Sequence, residues 1–98
     1  MTWNLAVRPL ARLQMAEAAD WYDSQSRELG DAFLRAAERT LEAICDNPYQ
    51  YQVLRGDLRR ATVRPFPYMF VYGLADNEVV VLRCIHGRRD PKRWPERI

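Results

Sequence analysis

One stripe of side chains constrains this chain more than any other feature. Phe33, Ala36, Ala37, Thr40, Leu41 and Ile44 recur at three- and four-residue steps, the spacing that lines one face of an α-helix. The stripe must stop before Asn47-Pro48, because the residue ahead of a proline is pushed out of the α region. Upstream, Leu10 to about Gln25 is rich in Ala, Leu, Met and Glu, with no internal Gly or Pro, which favours a second helix. Pro9 suits its first turn, where a missing N–H costs nothing, and Ser24-Gln25-Ser26 weakens its end. Gly30-Asp31 breaks the two, with Asp31 as N-cap of the second. Two helices with so short a break form an antiparallel hairpin.

The remainder reads as β. Trp3–Arg8 is a short first strand and Pro48–Asp57 a loop with Tyr49 and Tyr51 as anchors. Leu58–Arg64 is a strand ended by Pro65. Tyr68–Leu74 is aromatic and β-branched, which suits a pleated surface. Ala75-Asp76-Asn77-Glu78 is a turn whose middle residues tolerate left-handed backbone, and Val79–Ile85 is the last strand. Gly87–Ile98, with Pro91 and Pro95, is irregular. The order β-α-α-β-β-β predicts a single α+β domain over residues 1–98, a small antiparallel-rich sheet packed on a helical hairpin. Strict alternation sends Val80, Leu82 and Cys84 one way and Val79, Val81, Arg83 and Ile85 the other. Both sets are apolar, yet one helical hairpin covers only one face. The other is expected to lie partly bare for a partner, unless the C-terminal tail folds over it.

Composition narrows the function. No stretch approaches the ~18 apolar residues of a membrane span, and the N-terminus lacks the pattern of a signal peptide. Cys45 and Cys84 are too few for a disulfide framework, so the chain reads as cytoplasmic. With one histidine, His86, a zinc site is not expected, nor any cofactor. The net charge of +2 is unevenly spread. Residues 1–54 carry five arginines against eight acids, and residues 55–98 carry nine arginines and Lys92 against five acids. Arginine grips carboxylate or phosphate with a planar fork. The excess is either codon preference or a surface that meets an acidic protein or a nucleic acid.

A catalytic centre is hard to assemble. Ser24 and Ser26 are remote from His86 along the chain, the four glycines are isolated, and no carboxylate pair sits on an apolar background. Trp21 and Tyr22 read as helix-packing residues. One basic set remains: Arg59, Arg60 and Arg64 on one strand, Arg83 on another, then His86, Arg88 and Arg89. Adjacent strands lie about 4.8 Å apart, so these side chains could converge and stabilise charge at a phosphate. The plainer alternative for His86 is a strand-end ring bonded to backbone or to Asp90.

An ordered set of motifs then resembles a known family. Ala19-Asp20-Trp21-Tyr22, Leu29-Gly30 with Phe33, and Asn47-Pro48 are followed by Leu58-Arg59-Arg60, Phe66-Pro67-Tyr68 and Val71-Tyr72. His86-Gly87-Arg88-Arg89-Asp90-Pro91 with Trp94 closes the series. Together they resemble the RelE/ParE superfamily of bacterial type II toxins, in particular its ParE-like branch. The resemblance implies a toxin neutralised by a cognate antitoxin, acidic in its binding tail and of ribbon-helix-helix type, in a hetero-oligomer. It also implies one of two targets. One branch cleaves mRNA on the ribosome and commonly has Arg directly after the Tyr of the third strand. Here Tyr68 is followed by Met69, and no tyrosine follows His86. The other branch poisons DNA gyrase by protein contact.

The expected function is therefore a ParE-like gyrase inhibitor with no catalytic residues and no metal. The alternatives are a ribosome-dependent mRNA endonuclease, whose site would comprise Arg64, Arg83, His86 and Arg88, and a non-toxic relic that only binds antitoxin. The antitoxin is expected on an apolar strip of Val79, Val81 and Ile85, with Arg59, Arg60 and Arg83 pairing to its acids.

Overall fold

A computed structural model describes residues 3–88, 95, 97 and 98. Arg89, Asp90, Pro91 and Trp94 of the closing motif, and most of the expected irregular tail, lie outside the described residues. The chain runs β1 (Asn4–Val7), α1 (Pro9–Gln25), α2 (Leu29–Asp46), a 3-10 turn (Pro48–Gln50), β2 (Val53–Arg55), β3 (Leu58–Thr62), β4 (Tyr68–Ala75) and β5 (Glu78–His86). Five strands form one sheet in the order β1-β5-β4-β3-β2. β1 runs parallel to β5, and the other neighbours are antiparallel. The helical hairpin packs on one face, giving the α+β class and the layering expected.

α1 presents small side chains inward, with Ala11, Ala18 and Ala19 buried beside Tyr22. This lets α2 approach closely. A Cβ at Gly30 would lie 2.5 Å from the Ala19 carbonyl oxygen and from the Asp23 carboxyl. α2 begins two residues before the expected Asp31. Its N-cap is Glu28, in left-handed backbone at φ 69° and without a side-chain capping bond. The capping carboxylate comes instead from α1, where Asp23 Oδ1 accepts the Gly30 N–H at 2.7 Å. Asp31 stays in the first turn, where a negative charge suits the helix dipole. The stripe Phe33, Ala36, Ala37, Leu41 and Ile44 is buried as its periodicity predicts.

The segment Pro48–Asp57 is not wholly loop. Three residues pair as the edge strand β2, with Arg55 opposite Leu58 across a Gly56-Asp57 turn. Gly56 sits at φ 53°, where glycine carries no side-chain penalty. The β4–β5 turn falls as expected, at Asp76 (φ 50°) and Asn77 (φ 67°), the backbone of a type I′ hairpin.

The alternation along β5 breaks, which overturns part of the expected surface. Val71 pairs with Arg83 but Tyr72 pairs with Val81, leaving Leu82 as an extra residue. This is a β-bulge, which shifts every later side chain by one position relative to simple alternation. Val79, Val81 and Cys84 therefore share the helix-facing core with Phe33, Ile44, Phe70 and Tyr72. Val80, Leu82 and Ile85 share the opposite face with Leu58, Met69 and Val71. Val79 and Val81, expected on the partner strip beside Ile85, are instead fully buried against the helices.

Nor is the second face bare. Its six apolar side chains are each 6% exposed or less. Ile98 lies over Gly73 on this face, so close that a Cβ at Gly73 would meet its Cδ1 at 2.6 Å. Leu58 lies beside the same notch, with its Cδ2 at 3.1 Å. The chain's own C-terminal residue thus occupies part of the surface that the apolar pattern assigns to a partner.

Candidate functional site

β2 ends the sheet on one side only partway along β3. Past Arg60, whose N–H reaches the Gln52 carbonyl at 3.1 Å, the outer edge of β3 has no neighbouring strand among the described residues. An open groove of about 720 Å³ follows this edge between α2 and the β3–β4 connection. Ala36, Arg39, Thr40 and Ala43 form the α2 wall. They recur at i, i+3, i+4 and i+7, one face of a helix. Arg60, Thr62 and Arg64 line the strand side, while Tyr68, His86 and Arg88 close the end. Among its described lining residues are four arginines and no acid.

Arg60 donates to Gln52 Oε1 at 2.9 Å. Arg39, Arg64 and Arg88 use no side-chain nitrogen in a hydrogen bond or ion pair with the described residues. His86 packs edge-on against Tyr68, ring centroids 5.4 Å apart. Its Nδ1 accepts the Arg88 N–H at 3.1 Å. A backbone N–H can only donate, so Nδ1 is the acceptor in this contact and Nε2 is the ring nitrogen left facing the groove. The plainer reading of His86 as a backbone-bonded strand end holds for this nitrogen.

Beside the groove lies a cleft of about 460 Å³ lined by Trp21, Tyr22, Pro67, Tyr68 and His86. Pro67, Tyr68 and His86 line both hollows. Tyr22 is buried among Phe33, Phe66 and Tyr68, at centroid distances of 4.8–6.0 Å, and is the helix-packing residue expected. Trp21 is not. It stands 55% exposed, edge-on to Tyr22 at 5.1 Å, and forms one wall of the cleft.

The other expected site residues separate. Three of the four residues of the endonuclease alternative, Arg64, His86 and Arg88, share the groove, and Arg83 does not line it. The bulge places Arg83 on the opposite face, across from Val71, with Nη1 donating to the Leu82 carbonyl at 2.8 Å. Arg60 pairs with Val71 from the other side, so Arg60 and Arg83 flank one apolar residue. Arg59 turns toward the helices. Its Nη1 donates to the Tyr51 carbonyl at 2.7 Å and its guanidinium lies 5.4 Å from the Tyr49 ring centroid. Arg59 therefore clamps the 3-10 turn, and its fork is already used. Ile85 is on the second face but only 4% exposed. Arg39 was missed by motif reading, although its i, i+3 relation to Ala36 marks the same helix face.

The two cysteines and the Tyr72 hydroxyl are not ready nucleophiles. Burial pushes the Cys84 thiol up to about 12, and burial with the nearby Asp46 charge raises Cys45. The Tyr72 hydroxyl is driven well above the usual range by burial and donates to the Pro48 carbonyl at 2.6 Å. No group of three His, Cys, Asp or Glu among the described residues is placed to hold a metal ion. No described helix is long and apolar enough to cross a membrane.

A helical hairpin on one face of a five-stranded sheet, with an arginine-lined groove at the sheet edge, places the chain among small two-layer α+β domains. Residues 5–91 match the family described as ParE toxin of type II toxin-antitoxin system, parDE. The chain belongs to the ParE toxin family. Among solved structures it is similar to a chain of the chromosomal ParDE TA system from P. aeruginosa, with a TM-score of 0.75 at 14% identity. That likeness covers 87% of this chain and 96% of the other, and it concerns the fold. No curated protein matches the chain.

Proposed function

We propose that this protein is the toxin of a type II pair that inhibits DNA gyrase by protein contact in the cytoplasm. A cognate antitoxin holds it inactive in a hetero-oligomer. The observation that carries this reading is the ParE toxin match across residues 5–91. The charge pattern supports the antitoxin half. Arg60 and Arg83 flank Val71 on the second sheet face, a cationic pair suited to the acidic tail of a ribbon-helix-helix antitoxin. Against the endonuclease alternative stand the uncharged Met69 directly after Tyr68 and the lack of a tyrosine after His86.

Antitoxin-free protein added to purified gyrase should abolish supercoiling, and the antitoxin should restore it. Normal supercoiling at large toxin excess refutes the gyrase target. Cuts within codons of translated mRNA would then mark the endonuclease, and harmless expression at full yield the antitoxin-binding relic.

A further inference from the structure

The gyrase reading leaves open which surface meets the enzyme, and the sheet has a second open edge, opposite the one that carries the arginine groove. β1 is the end strand there. Its Asn4 N–H and the next residue's but three, Arg8 N–H, turn inward, to the Asn77 carbonyl at 3.3 Å and the Val81 carbonyl at 2.9 Å. Alternation along a strand therefore turns the N–H and C=O of Leu5 and Val7 outward, where no strand among the described residues pairs with them. Leu5 lies beside Val79 in parallel register. Its side chain thus points to the helix side of the sheet, yet it stays 44% exposed. It stands over a cleft of about 470 Å³ whose other apolar walls are Trp3, Leu41 and Cys45. The Trp3 N–H donates to the Cys45 carbonyl at 2.9 Å, which ties the start of β1 to the end of α2. The remaining lining residues are Glu38, Glu42 and Asp46, with no base among them. They follow at i, i+4 and i+8, a row about 12 Å long, and none has a hydrogen bond or ion pair to a described residue.

We propose that the β1 edge and its acidic cleft dock gyrase, by pairing with an extended segment of the enzyme that carries an aliphatic side chain flanked by lysine or arginine. The inference rests on the gyrase reading and supplies its contact surface. An added strand lies about 4.8 Å from β1 and takes its affinity from the Leu5 and Val7 backbone groups. Its alternate side chains, about 6.7 Å apart on one face, fall over the cleft. A central aliphatic one enters between Leu5 and Leu41, and a basic one on either side reaches the row of carboxylates. The acidic antitoxin tail has the wrong sign for this cleft and suits the Arg60 and Arg83 surface instead. A nucleic acid is repelled for the same reason. A second copy of this chain, joined edge to edge about a two-fold axis, sets the three acids against their own mates. A DNA-handling enzyme, by contrast, presents surfaces rich in lysine and arginine.

The test is biolayer interferometry of antitoxin-free protein against purified gyrase holoenzyme without DNA, beside supercoiling inhibition and antitoxin affinity. Glu38→Lys with Glu42→Lys sets like charges against each other and should weaken gyrase binding about 10- to 100-fold. The toxin concentration that half-inhibits supercoiling should rise in step. Leu5→Ala should weaken binding about 3- to 10-fold, the worth of burying the exposed half of a leucine. Both variants should stay folded by circular dichroism, because all three side chains are exposed, and should keep the parent's antitoxin affinity. Parent protein that neither binds nor inhibits gyrase removes the gyrase reading, and the docking surface falls with it. Parent protein that inhibits gyrase while both variants bind it as tightly refutes the surface alone. An equal loss of antitoxin affinity would assign the edge to the antitoxin, and a parent dimer that Leu5→Ala dissolves would assign it to a second copy. Either result overturns the proposal.

Discussion

Replacing Gly30 with alanine should destabilise the fold, although helix propensity alone argues the opposite. In an open helix interior the change gains about 1 kcal/mol. Here the new methyl would sit 2.5 Å from the Ala19 carbonyl oxygen and 2.5 Å from the Asp23 carboxyl. The carbonyl belongs to the α1 backbone and cannot swing away. Relief requires the hairpin to open by about an ångström, and such overpacking costs about 1–3 kcal/mol. Opening also stretches the 2.7 Å bond from the Gly30 N–H to Asp23, a charge-assisted bond worth about 1.5–3 kcal/mol. The net expectation is a loss of about 2–4 kcal/mol. For a domain of this size each kcal/mol lowers the melting temperature by about 4–8 °C. Thermal melting by circular dichroism should then show Gly30→Ala roughly 10–25 °C below the parent. Asp23→Ala, which removes the bond and leaves the space, should fall between them. A Gly30→Ala protein that melts at or above the parent temperature would refute the close helix approach.

Two further predictions concern the core and the covered face. The Cys84 thiol is held up to about 12 by burial against a reference of 9.0, so the unfolded chain releases this proton first. Its contribution is intact below about pH 9 and is lost between there and pH 12, at up to about 1.4 kcal/mol per pH unit. Urea midpoints at pH 7, 9 and 10.5 should therefore decline less in Cys84→Ala than in the parent, and parallel profiles would exclude a buried neutral thiol. Ile98→Asp should lower stability by about 1 kcal/mol, less than a fully buried isoleucine is worth because the side chain is 42% exposed. An unchanged urea midpoint would mean that the seat over Gly73 contributes nothing.

Most of the fold is legible because its signals are local. The stripe from Phe33 to Ile44, the Pro9 and Pro48 boundaries and the Asp76-Asn77 turn each act within a few residues, and each falls where expected. The misses involve features too short, or too dependent on packing, for a local pattern to announce. β2 is three residues long and exists only because β3 offers it an edge, so no periodicity announces it. The capping role fell to Asp23 and not Asp31, because the helix approach brings a carboxylate from the preceding helix to Gly30. Trp21 looked like a packing residue because its neighbour Tyr22 is one. Only the angle between α1 and the sheet decides which of two adjacent aromatics faces inward.

Along β5 the expected site failed for one physical reason, the single extra residue at Leu82. Alternation predicts faces correctly until a bulge, and nothing in Val-Val-Val-Leu-Arg-Cys-Ile marks where one must fall. Its placement follows from packing. β1 lies parallel to the first half of β5 as far as Val7, opposite Val81. Beyond that point no strand among the described residues flanks β5 on the β1 side, and α1 supplies Gln14, whose Oε1 accepts the Cys84 N–H at 2.8 Å. The strand thus changes its partner from a backbone to a side chain within three residues, and the bulge falls at that junction. That one residue buries Val79 and Val81 against the helices. It also turns Arg83 to the face opposite the groove while leaving His86 beside Tyr68. The basic set that looks continuous in sequence is thereby divided into two surfaces. Arg60 and Arg83 flank Val71 on one, and Arg39, Arg64 and Arg88 share an open groove with an aromatic cleft on the other. Arg60 touches both, so a partner laid along the second face would reach the mouth of the groove through that side chain.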